Sequence, residues 1–220
     1  MTTAEEDYIK AIFQLESEEN ERINTNQLAG VMHTKPSSVT DMLKRLKAKK
    51  MVYYKKYQGA NLTAEGKQEA LKLVRKHRLW ETFLVEKLGF SWKDVHALAE
   101  QLEHIESEEL IKRLDGYLGQ PVYDPHGEPI PDINGMEAPL RANLMTAAQA
   151  GREYILKGVV KPKDDLLGFL DKIGFHIGCK FRVIQQEDYS ESMEIEMEDN
   201  RYFLTYNIAN QLLVKDYEQD

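Results

Sequence analysis

A single cysteine, Cys179, is present in a chain of 220 residues. One thiol excludes an internal disulfide framework and every zinc motif built on paired cysteines. Long apolar runs are also missing. Nothing approaches the ~18 residues that a membrane helix needs, so no membrane partner is expected. The N-terminus, MTTAEEDY, is acidic and lacks the basic-then-apolar pattern of a signal peptide. The expectation is a cytoplasmic protein. Metalloprotease signatures are absent too: the string Glu100-Gln101-Leu102-Glu103-His104 is neither HExxH nor HxxEH.

What is present is unevenly charged. The net charge is −8, yet residues 35–75 carry 11 Lys/Arg against 3 Asp/Glu, a local +8. A basic block on an acidic chain is an electrostatic footprint for nucleic acid. Residues 4–17 place Tyr8, Ile9, Ile12, Phe13 and Leu15 at helical spacing. A short helix follows, with Thr25 as its expected cap, running to Val31. A turn at His33–Lys35 leads to a second helix with Pro36 in its first turn. That helix turns Val39, Met42, Leu43 and Leu46 inward. Lys35, Pro36, Ser37, Ser38 and Thr40 lie at or near its start, where small hydroxyls can approach base edges. Lys44 and Lys47 come later and suit phosphates. MVYYKKYQGANLT then reads as a basic hairpin with Lys55 and Lys56, the wing of a winged helix-turn-helix.

Thr63 is expected to cap a long helix reaching Leu88. SWKDVHALAEQLEH gives another, with Ser91 as expected cap and an end near His104. Ser107 starts a third, through Leu118. Three helices with wide apolar faces suit a dimer interface. Two reading helices are needed for a pseudo-palindromic operator in double-stranded DNA, so a homodimer is expected. His96, Glu100, Glu103 and His104 would share an arc of about 100° on one helix, and His77 and Glu81 stand at i, i+4. Converging imidazoles and carboxylates make a poor core and a good divalent-metal site.

The ordered motifs EDYIKAIFQL, PSSVTDMLKRL, GANLTAEGK, RKHRLWETFL, VHALAEQLEH and PHGEPIP resemble the diphtheria-toxin-repressor family of metal-dependent repressors, in particular its manganese-regulator branch. The resemblance covers about 5–220. It implies a primary metal site at Asp7, Glu100, Glu103 and His104. It also implies a second site from Glu81, Asp124 and His126, with His77 and His96 as alternative donors. The iron-responsive branch has Met where Asp7 stands and Cys where Glu100 stands. Hard oxygen donors at both places favour Mn²⁺, with Fe²⁺ as the alternative. Small manganese regulators carry a Glu where this chain has Lys10, which argues against two metal ions sharing the primary site. Ligand positions of the iron branch in the C-terminal part fall near Gly158 and Lys161, with Asp164 or Asp165 as further candidates.

PHGEPIPDINGMEAPLR reads as a linker. Beyond it come a short helix, DDLLGFLDKIG, and strands in CKFRVIQQED, SMEIEMEDNRYFLTY and QLLVKDY. Short strands separated by polar turns suggest a small barrel, which the resemblance makes SH3-like and FeoA-like. Cys179 is read as a packed residue rather than a ligand. The expected fold is mainly α with small β elements, in three domains: 1–63, DNA-binding; 64–144, metal-sensing and dimerising; 145–220, SH3-like. The function implied is repression of metal-uptake genes, without catalysis. A metallohydrolase on a helical scaffold is the reading from another class, and a winged-helix sensor of something else is the third.

Overall fold

The structure, a computed structural model, describes residues 1–18, 22–139, 142–160 and 163–217. The chain forms two units: Met1–His77 with Glu100–Ile111 and Pro131–Glu137, and Arg78–Ala99 with Lys112–Ile130 and Ala138–Asp220.

In the first unit, α1 (Thr3–Glu18) buries Tyr8, Ile9 and Ile12, as its spacing requires. Helix α2 (Thr25–Val31) is capped by Asn24 and not by Thr25. The Asn24 side chain accepts from the Asn26 and Gln27 N–H groups, and Gln27 closes the box by accepting from the Asn24 N–H. Gln27 stands three residues after Asn24, the spacing that a reciprocal cap requires. Helix α3 (Pro36–Ala48) fully buries Val39, Leu43 and Leu46. Strands β1 (Val52–Lys55) and β2 (Gly59–Leu62) pair antiparallel. They join the same core through Val52, Ala60 and Leu62. Glu16 fastens α1 to the hairpin by accepting from the Leu62 N–H at 2.8 Å. Thr63 Oγ1 accepts from the Gly66 N–H at 3.0 Å and starts α4 (Ala64–Leu88), whose residues are shared between the units.

Helix α5 spans only His96–Leu102, shorter than its sequence pattern suggests at both ends. Ser91 does not cap it. Residues 91–94 form a turn closed by the Asp94 N–H on the Ser91 carbonyl, and the Trp92 indole N–H donates to Asp171 at 2.5 Å. Turning Trp92 into the core delays the helix. Beyond Leu102 a tight Ile105 N–H bond to the Leu102 carbonyl ends it, so Glu103 and His104 sit in a turn. Helix α6 (Glu108–Tyr117) begins with Ser107 accepting from the Leu110 N–H at 3.3 Å.

The second unit holds a six-stranded antiparallel sheet ordered β3-β8-β4-β5-β6-β7. Its strands are β3 (Asn143–Leu144), β4 (Glu153–Val159), β5 (Lys180–Glu187), β6 (Ser192–Met197), β7 (Asn200–Thr205) and β8 (Leu212–Asp216). Bulges fall at Leu156/Gly158 and Val183/Gln185, the devices that bend a small sheet. β3 and β4 were not expected from the pattern. β3 is two residues long, and Gly158 interrupts the apolar run of β4. In β6, Met193, Ile195 and Met197 are buried as expected. Glu194 is buried as well, with Arg201 at 3.0 Å. Helices α7 (Asp164–Lys172) and α8 (Tyr206–Ala209) complete the unit. Its core runs from Trp92 through Leu156, Leu170, Phe175 and Phe181 to Val214. Cys179 packs against this core; its Sγ accepts from the His176 N–H and donates to the Gly174 carbonyl. No helix among the described residues is long and apolar enough to cross a membrane.

Candidate metal centres and DNA-reading surface

In the first unit, Asp7, Glu103 and His104 bring one donor atom each to within 4.8 Å of one another. His104 Nε2 lies 3.0 Å from Asp7 Oδ1, and its Nδ1 lies 2.7 Å from Glu6 Oε2. If Nδ1–H donates to Glu6, Nε2 is left with its lone pair toward the cluster, the usual arrangement behind a metal-binding imidazole. Glu6 was not singled out from the sequence; a carboxylate beside Asp7 in the first turn of α1 reads as a helix-end charge. Burial chiefly raises the Asp7 carboxyl above its ordinary pKa. The charges of Glu100 and Glu103 add to this, against the opposing effect of His104. Glu103 is fully buried, and its Oε1 has no hydrogen-bond partner among the described residues. A buried carboxylate oxygen left unpaired is costly, and a cation would relieve it. The residues present therefore fit a divalent ion.

The other side of this cluster is held by Lys10. Its Nζ lies 2.8 Å from Glu100 Oε1 and 2.5 Å from Glu103 Oε2. Glu100, expected beside Asp7, is thus turned toward an ammonium. His77 Nδ1 lies 2.6 Å from Glu103 Oε2. The resemblance offered His77 as an alternative donor for the second site; here its buried imidazole contacts the buried carboxylate of Glu103.

In the second unit, Glu81, Asp124 and His126 form another three-donor group, all buried. His126 Nδ1 lies 3.7 Å from Glu81 Oε2, and Asp124 Oδ2 is a second buried oxygen without a hydrogen-bond partner among the described residues. Asp124 Oδ1 accepts from the His126 and Glu128 N–H groups, which folds the loop back on itself. Gly127 makes that fold possible. Its φ is +83°, and a Cβ there would stand 2.0 Å from the Lys157 carbonyl oxygen. Burial, then the charge of Glu81, raises the Asp124 pKa to about 7. For His126 burial opposes the charge, but Glu81 and Asp124 outweigh it and raise the pKa to about 9. Arg78 Nε lies 3.8 Å from Asp124 Oδ2 and balances part of this charge; two buried acids and an imidazole, with that oxygen still lacking a hydrogen bond among the described residues, again fit a divalent ion. His96 reaches this group through Glu81 at 3.3 Å. Lys161 and the side chain of Asp164 lie outside the described residues. Asp165 is exposed, and Gly158 has no side chain to offer.

The expected DNA surface is solvent-facing. Lys35, Pro36, Ser37 and Ser38 are exposed at the start of α3, and Lys55 and Lys56 on the hairpin. Thr40 is partly covered and donates to the Pro36 carbonyl at 3.0 Å. Lys44 pairs with Asp41 at 3.0 Å, and Lys47 donates to the Tyr54 carbonyl at 3.0 Å, which ties α3 to the wing. A cavity of about 630 Å³ lies between them, lined by Arg22, Lys47, Lys50, Lys55 and Tyr53 among others.

Comparison with known proteins bears on both surfaces. Residues 1–60 match the iron dependent repressor N-terminal DNA binding domain, and residues 63–132 match the iron dependent repressor metal binding and dimerisation domain. Residues 144–216 match the FeoA domain. An HTH-type transcriptional regulator of Methanocaldococcus jannaschii is 40% identical over 114 residues, 52% of this chain and 91% of that one. The iron-dependent repressor IdeR of Mycobacterium leprae is 31% identical over 126 residues, 57% of this chain and 54% of its own. Among solved structures, a manganese-dependent transcriptional repressor in complex with manganese is 28% identical with a TM-score of 0.81, covering 97% of this chain and 100% of that one. The chain belongs to the iron-dependent (diphtheria toxin) repressor family: it is a metal-dependent, DNA-binding transcriptional repressor with a dimerisation domain and a C-terminal FeoA domain, and not an enzyme.

Proposed function

We propose that this repressor is activated by Mn²⁺ and that, as a homodimer in the cytoplasm, it binds a pseudo-palindromic operator upstream of metal-uptake genes. The observation that carries the choice of metal is the donor set. Asp7, Glu103 and His104 offer two carboxylates and one imidazole, with no sulfur, and hard donors of this kind suit Mn²⁺. The similarity to a manganese-dependent repressor supports it. Fe²⁺ is the second reading, favoured by the similarity to IdeR.

Asp7, Glu103 and His104 would hold the ion, with Glu100 as a fourth donor released from Lys10. The ion would supply the positive charge that the unpaired Glu103 oxygen lacks. Asp7 lies on α1, which shares its core with the reading helix α3, whereas Glu103 and His104 follow α5. Loading the site would therefore fix the reading head, and coupling of ~1–3 kcal/mol between metal and DNA is the usual scale. Glu81, Asp124 and His126 would form the second site. Division into domains at 1–63, 64–144 and 145–220 is part of the same reading. Exposed Leu88, Phe90, Tyr117 and Val122 supply apolar surface for a second copy.

The test is operator binding by the full chain, first with chelator and then titrated with Mn²⁺, Fe²⁺ and Zn²⁺. Activation by Mn²⁺ at lower free concentration than Fe²⁺ is expected. Equal affinity with chelator and with Mn²⁺ would sink the reading.

A further inference from the structure

Trp92 stands where two otherwise separate sets of contacts in the second unit meet. Its backbone carbonyl lies 2.8 Å from His126 Nε2. A carbonyl can only accept, so Nε2 carries the proton and Nδ1 is the nitrogen available to a ligand. Its indole lies parallel to the imidazole, with centroids 6.0 Å apart and 13° between planes. At the far edge, the indole N–H donates to Asp171 Oδ1 in α7 at 2.5 Å, while Ser91 Oγ donates to Oδ2 at 3.2 Å. Trp92 is also part of the core beneath the β-sheet. The His126 carbonyl in turn accepts from the Val159 N–H of β4 at 2.8 Å. His126 is therefore held on its ring face, at one ring nitrogen and at its backbone, by groups belonging to the FeoA-like core.

We propose that Trp92 is the positioning residue of the Glu81–Asp124–His126 site, and that its indole anchor on Asp171 makes the affinity of that site depend on α7. This rests on the reading of those three residues as a divalent-metal site. The geometry specifies the chain of action. Asp171 holds the indole, and the indole and its own carbonyl hold the imidazole with Nδ1 facing the carboxylates. Partners that orient a metal-binding histidine are typically worth ~10–100-fold in metal affinity. None of this touches Asp7, Glu103 or His104, so the first site should not respond.

The chain carries its own probe, because it has two tryptophans. Trp80 is buried, and its indole N–H has no hydrogen-bond partner among the described residues, so Trp80→Phe removes none of the described hydrogen bonds and leaves Trp92 as the sole tryptophan reporter. In that background, with His104→Ala added to disable the first site, Mn²⁺ should change the Trp92 fluorescence saturably. Glu81→Ala should abolish the change. Asp171→Ala should weaken the Mn²⁺ midpoint about tenfold or more. Calorimetry on the full-length chain with native Trp80 should show the same loss for Trp92→Phe, which keeps an aromatic ring but loses the indole N–H. Because both changes break the same Trp92–Asp171 bond, and Asp171→Ala additionally frees Ser91, the double variant should be no weaker than Asp171→Ala alone. A residue that merely fills the core would lower stability and leave the midpoint unmoved. A midpoint unchanged within twofold in both Asp171→Ala and Trp92→Phe, with Glu81→Ala still abolishing binding, overturns the positioning role while the site survives. Undiminished Mn²⁺ binding in Glu81→Ala overturns the site itself.

Discussion

Replacing Lys10 by Met should unbalance the first centre in a way that metal can mend. Lys10 is 6% exposed at its side chain, Glu103 is 0% exposed and Glu100 is 41% exposed. The two arms of the bridge are therefore unequal. The Glu100 arm is screened by water and is worth at most about 1 kcal/mol. The Glu103 arm is fully desolvated, and breaking a buried pair from one side costs up to roughly 3–5 kcal/mol, a ceiling here because the His77 imidazole stays 2.6 Å from Glu103 Oε2. Against a typical total of ~5–15 kcal/mol for a domain, such a loss is large. The chain has more than one folding unit, so a single melting curve would mix transitions. Hydrogen exchange at α1 amides such as Ile9 and Ile12 reads the right unit. In chelator, protection there should drop by the equivalent of more than about 1 and up to roughly 5 kcal/mol. Lys10→Met with Glu103→Leu should recover most of it, because the stranded charge is then gone. Saturating Mn²⁺ should shrink the loss in Lys10→Met alone, by placing positive charge beside Glu103. A drop below about 1 kcal/mol in chelator, the scale of an exposed pair, would show that Lys10 does not balance Glu103.

Other outcomes follow from the same geometry. Because the His126 pKa is raised to about 9 by Glu81 and Asp124, metal binding there must displace its proton below that pH. In a His104→Ala chain, Mn²⁺ affinity should rise about tenfold per pH unit between 7 and 9, and more steeply below 7, where Asp124 is protonated too. An affinity independent of pH between 6 and 9 counts against the site. Both groups have folded values above their ordinary ones, so their contribution to stability without metal is present at low pH. It fades as pH rises through about 7 for Asp124 and about 9 for His126; urea titrations across that range read it. Lys55→Ala or Lys56→Ala should weaken binding to all DNA sequences alike and lower the salt slope by about one unit, whereas Ser37→Ala should alter sequence preference; competition assays in several salts separate the two. The double change Asp7→Met with Glu100→Cys should move activation from Mn²⁺ toward Fe²⁺ or Co²⁺, read as the metal concentration for half-maximal operator binding.

Local patterns carried most of the fold. The periodic apolar positions of α1, α3 and α4 and the alternation in β6 each report burial directly, so those elements were legible. Caps were less so. Asn24 and Thr25 are both good cap residues, and only the position of Gln27 separates them. The start of α5 was hidden because nothing near Ser91 shows that Trp92 will bond Asp171, 79 residues away. At the first centre Asp7, Glu103 and His104 meet as their motifs imply. The roles of Glu6 and His77 depend on distances across 98 and 26 residues, which no spacing rule within one helix contains. β4 escaped notice because its bulge at Gly158 breaks the two-residue rhythm that reveals a strand.

The donor groups of both centres are carboxylates and imidazoles, while the single thiol is occupied with backbone groups 174 and 176. Peroxide acts on regulators chiefly through thiolates, which climb from sulfenic to sulfonic acid, and through thioethers. A regulator reading its metal through Asp7, Glu103 and His104 offers neither at the point of sensing. With the ligands proposed above, it would go on reporting metal supply during oxidative stress, when a sulfur-ligated sensor would confuse loss of metal with damage to its own ligands.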